Sequence, residues 1–169
     1  MVSFAISKKE TKETRSHWVL EAITQAGVII LITGAGGAFG AVLKSLNLSE
    51  FVYFSSNSPY LGLVMAFGFA ALIKTAQGSS TVSILTTSAF MLPLLAVLGL
   101  SNDIGRCMTV LAIGSGAMTL SHINDSYFWV VTKSLGLEVK EGMYSFSLAT
   151  FFPGITGIVV VLLLYYFLQ

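Results

Sequence analysis

Charge is what this chain has least of. Only 10% of its 169 residues are Asp, Glu, Lys or Arg, whereas about a quarter of an ordinary soluble domain is charged. Its nine basic and eight acidic residues leave a net charge of +1. No basic face is clustered, so the electrostatic footprint of a nucleic-acid binder is missing. Cysteine is nearly absent too: Cys107 stands alone, which excludes an internal disulfide and a cysteine-rich metal site. With two histidines there is no basis for a multi-histidine centre, and neither a metal nor a cofactor is expected. No nucleophile is paired with a base in a recognisable arrangement, and His122 with Asp125 alone defines no reaction, so an enzyme is not expected either.

What the chain has in excess is apolar surface, with 54% hydrophobic residues and a mean hydropathy of +0.82. The few charges are also segregated. The stretches Trp18–Leu43, Tyr60–Leu100, Cys107–Thr132 and Tyr144–Leu168 contain only Glu21, Lys74 and Asp125 among them. Long apolar runs separated by short polar connectors are what a bilayer imposes, because a helix needs roughly 20 mostly apolar residues to cross its hydrocarbon core. The fold class expected is an all-α polytopic membrane protein. Residues 1–17 read as a polar lead-in, since their charges follow a short, interrupted apolar start unlike a secretory signal. Residues 18–169 form the transmembrane domain.

Loop charge sets the expected orientation. Lys8, Lys9, Lys12 and Arg15 precede the first run and place the N-terminus in the cytoplasm by the positive-inside rule. The second run is interrupted at Thr75-Ala76-Gln77-Gly78-Ser79-Ser80-Thr81. Its arms, Tyr60–Lys74 and Val82–Leu98, would be about 22 and 25 Å long at 1.5 Å per residue, short of the ~30 Å hydrocarbon thickness. The expected arrangement is therefore three spans plus one re-entrant hairpin, with five spans as the alternative. Either way Lys44 and Arg106 fall outside, Lys133 and Lys140 inside, and the C-terminus outside. Trp18, Tyr60, Tyr144, Tyr165 and Tyr166 lie near segment ends, where aromatic anchors collect.

Irregular backbone at membrane depth survives only when buried in protein or lining a wet cavity, so breaks mark candidate sites. Three stand out: Gly34–Gly40, Thr75–Thr81 and Ser121–Ser126. At the second, Ser79, Ser80 and Thr81 would cap a following helix whose free N–H groups attract an anion, and Lys74 adds a full positive charge. Broken helices with dipole ends and hydroxyls at a midplane site are how many secondary transporters hold carboxylates. An ordinary polar turn between two spans is the other reading. At the third break, His122 and Asp125 are three apart and would share a helical face; they could carry a coupling proton and Asp125 could cap a helix beginning near Tyr127, two roles that do not exclude each other. The Gly36-x-x-x-Gly40 pattern fits close helix packing, with a second break facing substrate as the sharper alternative. Met91, Met108 and Met118 read as packing residues, and Glu21 as interfacial.

Three motifs carry a resemblance to a known family. They are Ile32-Thr33-Gly34-Ala35-Gly36-Gly37-Ala38-Phe39-Gly40, Ala70-Ala71-Leu72-Ile73-Lys74-Thr75-Ala76-Gln77-Gly78-Ser79-Ser80-Thr81-Val82 and Ser121-His122-Ile123-Asn124-Asp125-Ser126-Tyr127-Phe128-Trp129. In order and spacing, from Trp18 onward, the chain resembles the C-terminal part of the gluconate permease family, gluconate:proton symporters with sugar-acid and D-serine relatives. The resemblance implies a superfamily plan of two inverted repeats, each with a re-entrant hairpin and a discontinuous helix, working in an elevator-like cycle. Thr75–Thr81 would then be the hairpin tip and Ser121–Ser126 the helix break.

Family members are much longer, so the chain, with the content of one half of an inverted-repeat transporter, is expected to be the C-terminal fragment of a permease, one half of a split transporter, or a unit that pairs with another copy. It would pair with an N-terminal half or a second copy. The function expected is import of gluconate or a similar hydroxylated carboxylate, coupled to protons, across a bacterial-type inner membrane. Lys74, Gln77, Gly78, Ser79, Ser80, Thr81, His122 and Asn124 would bind substrate, and Asp125 with His122 would carry the proton. The alternative expectation is an accessory membrane subunit that does not transport alone.

Overall fold

Helix boundaries follow from local chemistry at each end. The computed structural model describes residues 12–45 and 58–169; the rest of the expected lead-in and most of the first external connector lie outside them. The first helix, α1 (Lys12–Ser45), runs unbroken through Gly34–Gly40, so the break expected there is not present in the backbone. Pro59 opens α2 (Pro59–Gln77), where its missing N–H is not needed. Gly78 ends it at φ 75°, its N–H bonded to the Lys74 carbonyl at 2.7 Å. That left-handed conformation is the ordinary helix stop that glycine permits. Ser79 then caps α3 (Ser80–Met91), its hydroxyl accepting from Val82 N–H at 3.3 Å.

A short 3-10 turn at Leu92–Leu94, around Pro93, follows α3. Asn102 caps α4 (Asp103–Ala117) by accepting from Gly105 N–H at 2.7 Å. Residues 118–125 are not helical. Asp125 caps α5 (Ser126–Ser134), and α6 (Val139–Leu168) follows after Gly136, which takes φ 65°. Among the described residues all regular structure is helical. Two helices, α2 and α6, are long and apolar enough to cross a membrane, about 28 and 45 Å at 1.5 Å per residue. By the same measure α4 and α5 are about 22 and 13 Å, each short of a bilayer core, so the third apolar run is two helices with a gap.

The core sits between α2, α4 and α6, with α4 in the middle and α3 against α1, α2 and α4. The buried residues of α2 are Gly62, Leu63, Ala66, Ala70 and Lys74, a stripe at helical spacing. It packs on Met108, Ala112, Ile113 and Ala117 of α4, joined by Ile158, Val161 and Tyr165 of α6. Small residues set the approach. A Cβ on Gly116 would meet the Phe67 carbonyl and stand 2.8 Å from Ala70 Cβ, and one on Gly154 would meet Thr119. Outward faces stay apolar, with Leu72, Val110 and Phe167 all strongly exposed. Tyr165 differs from the interfacial role expected of it: it is buried and meets Tyr60 edge to face at 5.3 Å. Trp18, Tyr144 and Tyr166 remain exposed.

Two glycines two residues apart on α4 separate packing from helix propensity. Gly116→Ala should lower stability by about 1–3 kcal/mol through overpacking. Gly114→Ala, where a Cβ meets nothing within 4 Å, should be neutral or stabilise by up to about 1 kcal/mol. Thermal unfolding in detergent followed by circular dichroism compares them; equal effects would contradict the packing assignment.

Candidate functional site

Lys74 ends the buried stripe of α2, four residues beyond Ala70, so helix geometry aims its side chain into the protein and not at solvent. An ammonium there is costly unless paired. Its partner comes from the gap between α4 and α5: Lys74 Nζ donates to Asp125 Oδ2 at 2.7 Å and to the Gly78 carbonyl at 2.9 Å. Both residues are buried, at 3% and 7% exposure. Asp125 is fully engaged. Ser121 Oγ donates to the same Oδ2, and Oδ1 accepts from Tyr127 N–H at 3.0 Å, which satisfies one of the orphan donors at the start of α5. The cap expected of Asp125 is present, and the same carboxylate pairs with Lys74, a partnership not read from the sequence.

The two chain breaks hold each other in other ways as well. Helix ends leave carbonyls without intrahelical partners, and here side chains from the facing break fill them. Thr75 O accepts from Asn124 Nδ2 at 2.6 Å and lies 3.0 Å from His122 Nε2. Ser80 Oγ donates to Ala117 O, the last residue of α4, at 2.9 Å. Gly78 lies flat against the 124–125 peptide, where a Cβ would strike the Asn124 carbonyl. The arms of the hairpin are tied by Ser83 Oγ donating to Ala70 O at 2.6 Å. From α6, Ser147 Oγ donates to Ser121 O at 2.6 Å and Thr150 Oγ1 accepts from Ser121 N–H at 3.1 Å.

A cavity of about 560 Å³ opens beside the ion pair. Lys74, Gly78, Ser79 and Ser80 line it from the hairpin, and Ser121, Asp125, Ser126 and Tyr127 from the gap. Met118, Val130, Phe146 and Thr150 complete the wall. Of the residues singled out from sequence, Lys74, Gly78, Ser79, Ser80 and Asp125 therefore meet at one cavity. Gln77 and Thr81 are exposed and do not line it. His122 and Asn124 face Thr75 instead, and His122 and Asp125, in a turn that is not helical, take different partners, Thr75 O and Lys74 Nζ. Sequence reasoning missed Ser147 and Thr150. Their signal was present as two hydroxyls three apart, on one face of an otherwise apolar segment. Among the described residues no group of three or more His, Cys, Asp or Glu converges as a metal site would require. A second cavity of about 740 Å³, between α4 and α6 around Pro153 and Gly157, contains no charged residue.

The family model described as GntP family permease matches residues 1–167. The chain belongs to the GntP permease family. It is 40% identical over 140 residues to the inner membrane permease YgbN of Escherichia coli, an alignment covering 82% of this chain and 30% of that protein. It is 33% identical to the gluconate permease of Bacillus subtilis, over 85% of this chain and 31% of the permease. To the D-serine transporter DsdX of Escherichia coli it is 34% identical, over 77% of this chain and 29% of the transporter. The chain thus spans about a third of the length of these relatives. No solved structure matches it. The resemblance drawn from the three motifs is correct at the level of the family, and the GntP relatives are membrane permeases and not enzymes.

Breaking the ion pair from one side should be worse than removing it. Asp125→Ala or Lys74→Met, each leaving one buried charge unpaired, should destabilise the protein by about 3–5 kcal/mol. The double variant Lys74→Met, Asp125→Leu should regain part of that loss. Unfolding of all three in detergent measures the coupling; additive losses would show that the two side chains do not act as a pair.

Proposed function

We propose that this GntP-family chain is the C-terminal portion of a secondary active transporter for gluconate or a related hydroxylated carboxylate, moved together with protons. The observation that carries the proposal is the 560 Å³ cavity, where one buried ammonium stands among hydroxyls at two helix interruptions. An ammonium suits a carboxylate, and serine and threonine hydroxyls donate to and accept from a polyol. The start of α3 adds unpaired N–H groups with the positive end of the helix dipole. Relatives named as gluconate permeases and as a D-serine transporter support the same class of small carboxylate.

In this reading α2, the Gly78-Ser79 turn and α3 are a re-entrant hairpin, while α4, the gap and α5 are one discontinuous crossing. With α1 and α6 they make three spans plus the hairpin, the N-terminus cytoplasmic and the C-terminus external. Lys74, Gly78, Ser79 and Ser80 contact the substrate; Gln77, Thr81 and Asn124 do not line the cavity and are left out of the contact set. Asp125, with His122 near the hairpin tip, carries the proton. A one-sided site needs a second wall, which an N-terminal half or a second copy supplies.

Labelled gluconate binding to the chain joined to an N-terminal half, in lipid nanodiscs, tests the site, and uptake into liposomes by the same joined protein tests transport. Lys74→Gln should weaken binding about ten- to a hundredfold, the worth of one charge-assisted contact. Unchanged affinity in Lys74→Gln would remove the anion clamp. Absence of gluconate binding and uptake in the unmodified protein would favour an accessory subunit instead.

A further inference from the structure

The cavity holds one cation and one anion, and they are bonded to each other. Among its lining residues the ionisable ones are Lys74, Asp125 and Tyr127. The facing groups from α3, α4 and α6 are neutral, and His122 is turned away toward Thr75 O. A substrate carboxylate entering beside Lys74 meets an ammonium already neutralised by Asp125 at 2.7 Å. Binding it without further change would leave two carboxylates against one ammonium in a buried site, a net charge of −1 with a heavy desolvation cost.

We propose that Asp125 and the substrate carboxylate compete for Lys74, and that a proton taken by Asp125 is what releases the ammonium. This rests on the carboxylate-binding reading of the same cavity. The proton bonds to Oδ2, the Lys74–Oδ2 ion pair breaks, and the ammonium passes to the incoming carboxylate. Ser121 accommodates the change because a hydroxyl that donates to a carboxylate can turn and accept from a carboxylic acid. Oδ1 goes on capping α5 through Tyr127 N–H, so the gap keeps its shape while the charge is exchanged.

The charge balance gives the coupling. The empty site holds Lys74 as a cation and Asp125 as an anion, a total of zero. The fully loaded site holds Lys74, protonated Asp125 and a monocarboxylate, again zero. Substrate alone makes −1 and the proton alone makes +1, and an uncompensated charge in a membrane interior is penalised. Only the empty and the doubly loaded forms are neutral. One proton therefore accompanies each monocarboxylate, and the exchange moves no net charge.

Proton uptake on binding is the measurement, made on the chain joined to an N-terminal half, in lipid nanodiscs, by calorimetry in buffers of different ionisation enthalpy. Gluconate is the probe and sorbitol, a neutral polyol, the control. One proton should be taken up per gluconate, with affinity falling about tenfold per pH unit above the midpoint of the responsible group. Sorbitol should take up none. Asp125→Asn, with Lys74 permanently released, should bind gluconate with no proton uptake and with the pH dependence lost. Gluconate binding without proton uptake in the unmodified joined protein overturns the competition while leaving the carboxylate site standing. Persistent proton uptake in Asp125→Asn overturns it as well. Failure of gluconate to bind either protein removes the site itself, and the competition with it.

Discussion

A backbone carbonyl or a charge inside hydrocarbon has no water to turn to, and the interior of this chain is arranged around that shortage. Two interruptions, one after α2 and one after α4, expose polar groups that would each be untenable alone. Placed face to face, they complete one another. Thr75 O and Ala117 O receive side-chain donors from the opposite break, and Lys74 receives a carboxylate. The α2–α4–α6 packing keeps the breaks in register. Replacing glycine at 116 or 154 would push α2 or α6 off α4 and separate groups that depend on being within 3 Å.

This dependence explains why one residue carries several duties. Asp125 caps α5, accepts from Ser121 and neutralises Lys74. A surface carboxylate could shed any of these to water. In a dry interior each lost bond leaves an orphan, and a buried network is either completed or costly. Ser121 is likewise held at both its backbone groups by hydroxyls of α6, giving this loop the rigidity that secondary structure otherwise provides.

Much of this was legible before any coordinates. Charge segregation indicates the membrane, and the Gly78-Ser79 stop and cap follow from residue chemistry alone. Lys74 was legible as a charge beside a polar break, but an ordinary surface turn was the other reading, and its burial is settled only by the stripe 63, 66, 70 and 74 of the folded helix. What the sequence could not give was which side chains meet across the two breaks. His122 and Asp125 are spaced for a shared helical face, yet residues 118–125 are not helical and the two take different partners. Gly34–Gly40 reads as a break by composition, yet α1 runs through it, since glycine weakens a helix without forbidding it. Gln77 and Thr81 flank the tip in sequence but turn outward, a consequence of the 100° between successive residues that motif matching ignores. Ser147 and Thr150 lay in the most apolar segment, where two hydroxyls draw little notice until a loop is seen hanging on them.

The gap between α4 and α5 is anchored at two points that belong to different bodies. Its beginning, Ser121, is fastened to α6, and its end, Asn124 and Asp125, to the hairpin tip. His122 and Ile123 lie between the fastenings, and both are held as well, His122 Nε2 at 3.0 Å from Thr75 O and Ile123 O by accepting from Trp129 Nε1 at 2.7 Å. Any sliding of the hairpin relative to α6 must be taken up as torsion in the backbone joining them, about four rotatable bonds in all. That makes the gap a coupling between the two bodies: a displacement of either one strains the short, fully bonded link that joins them.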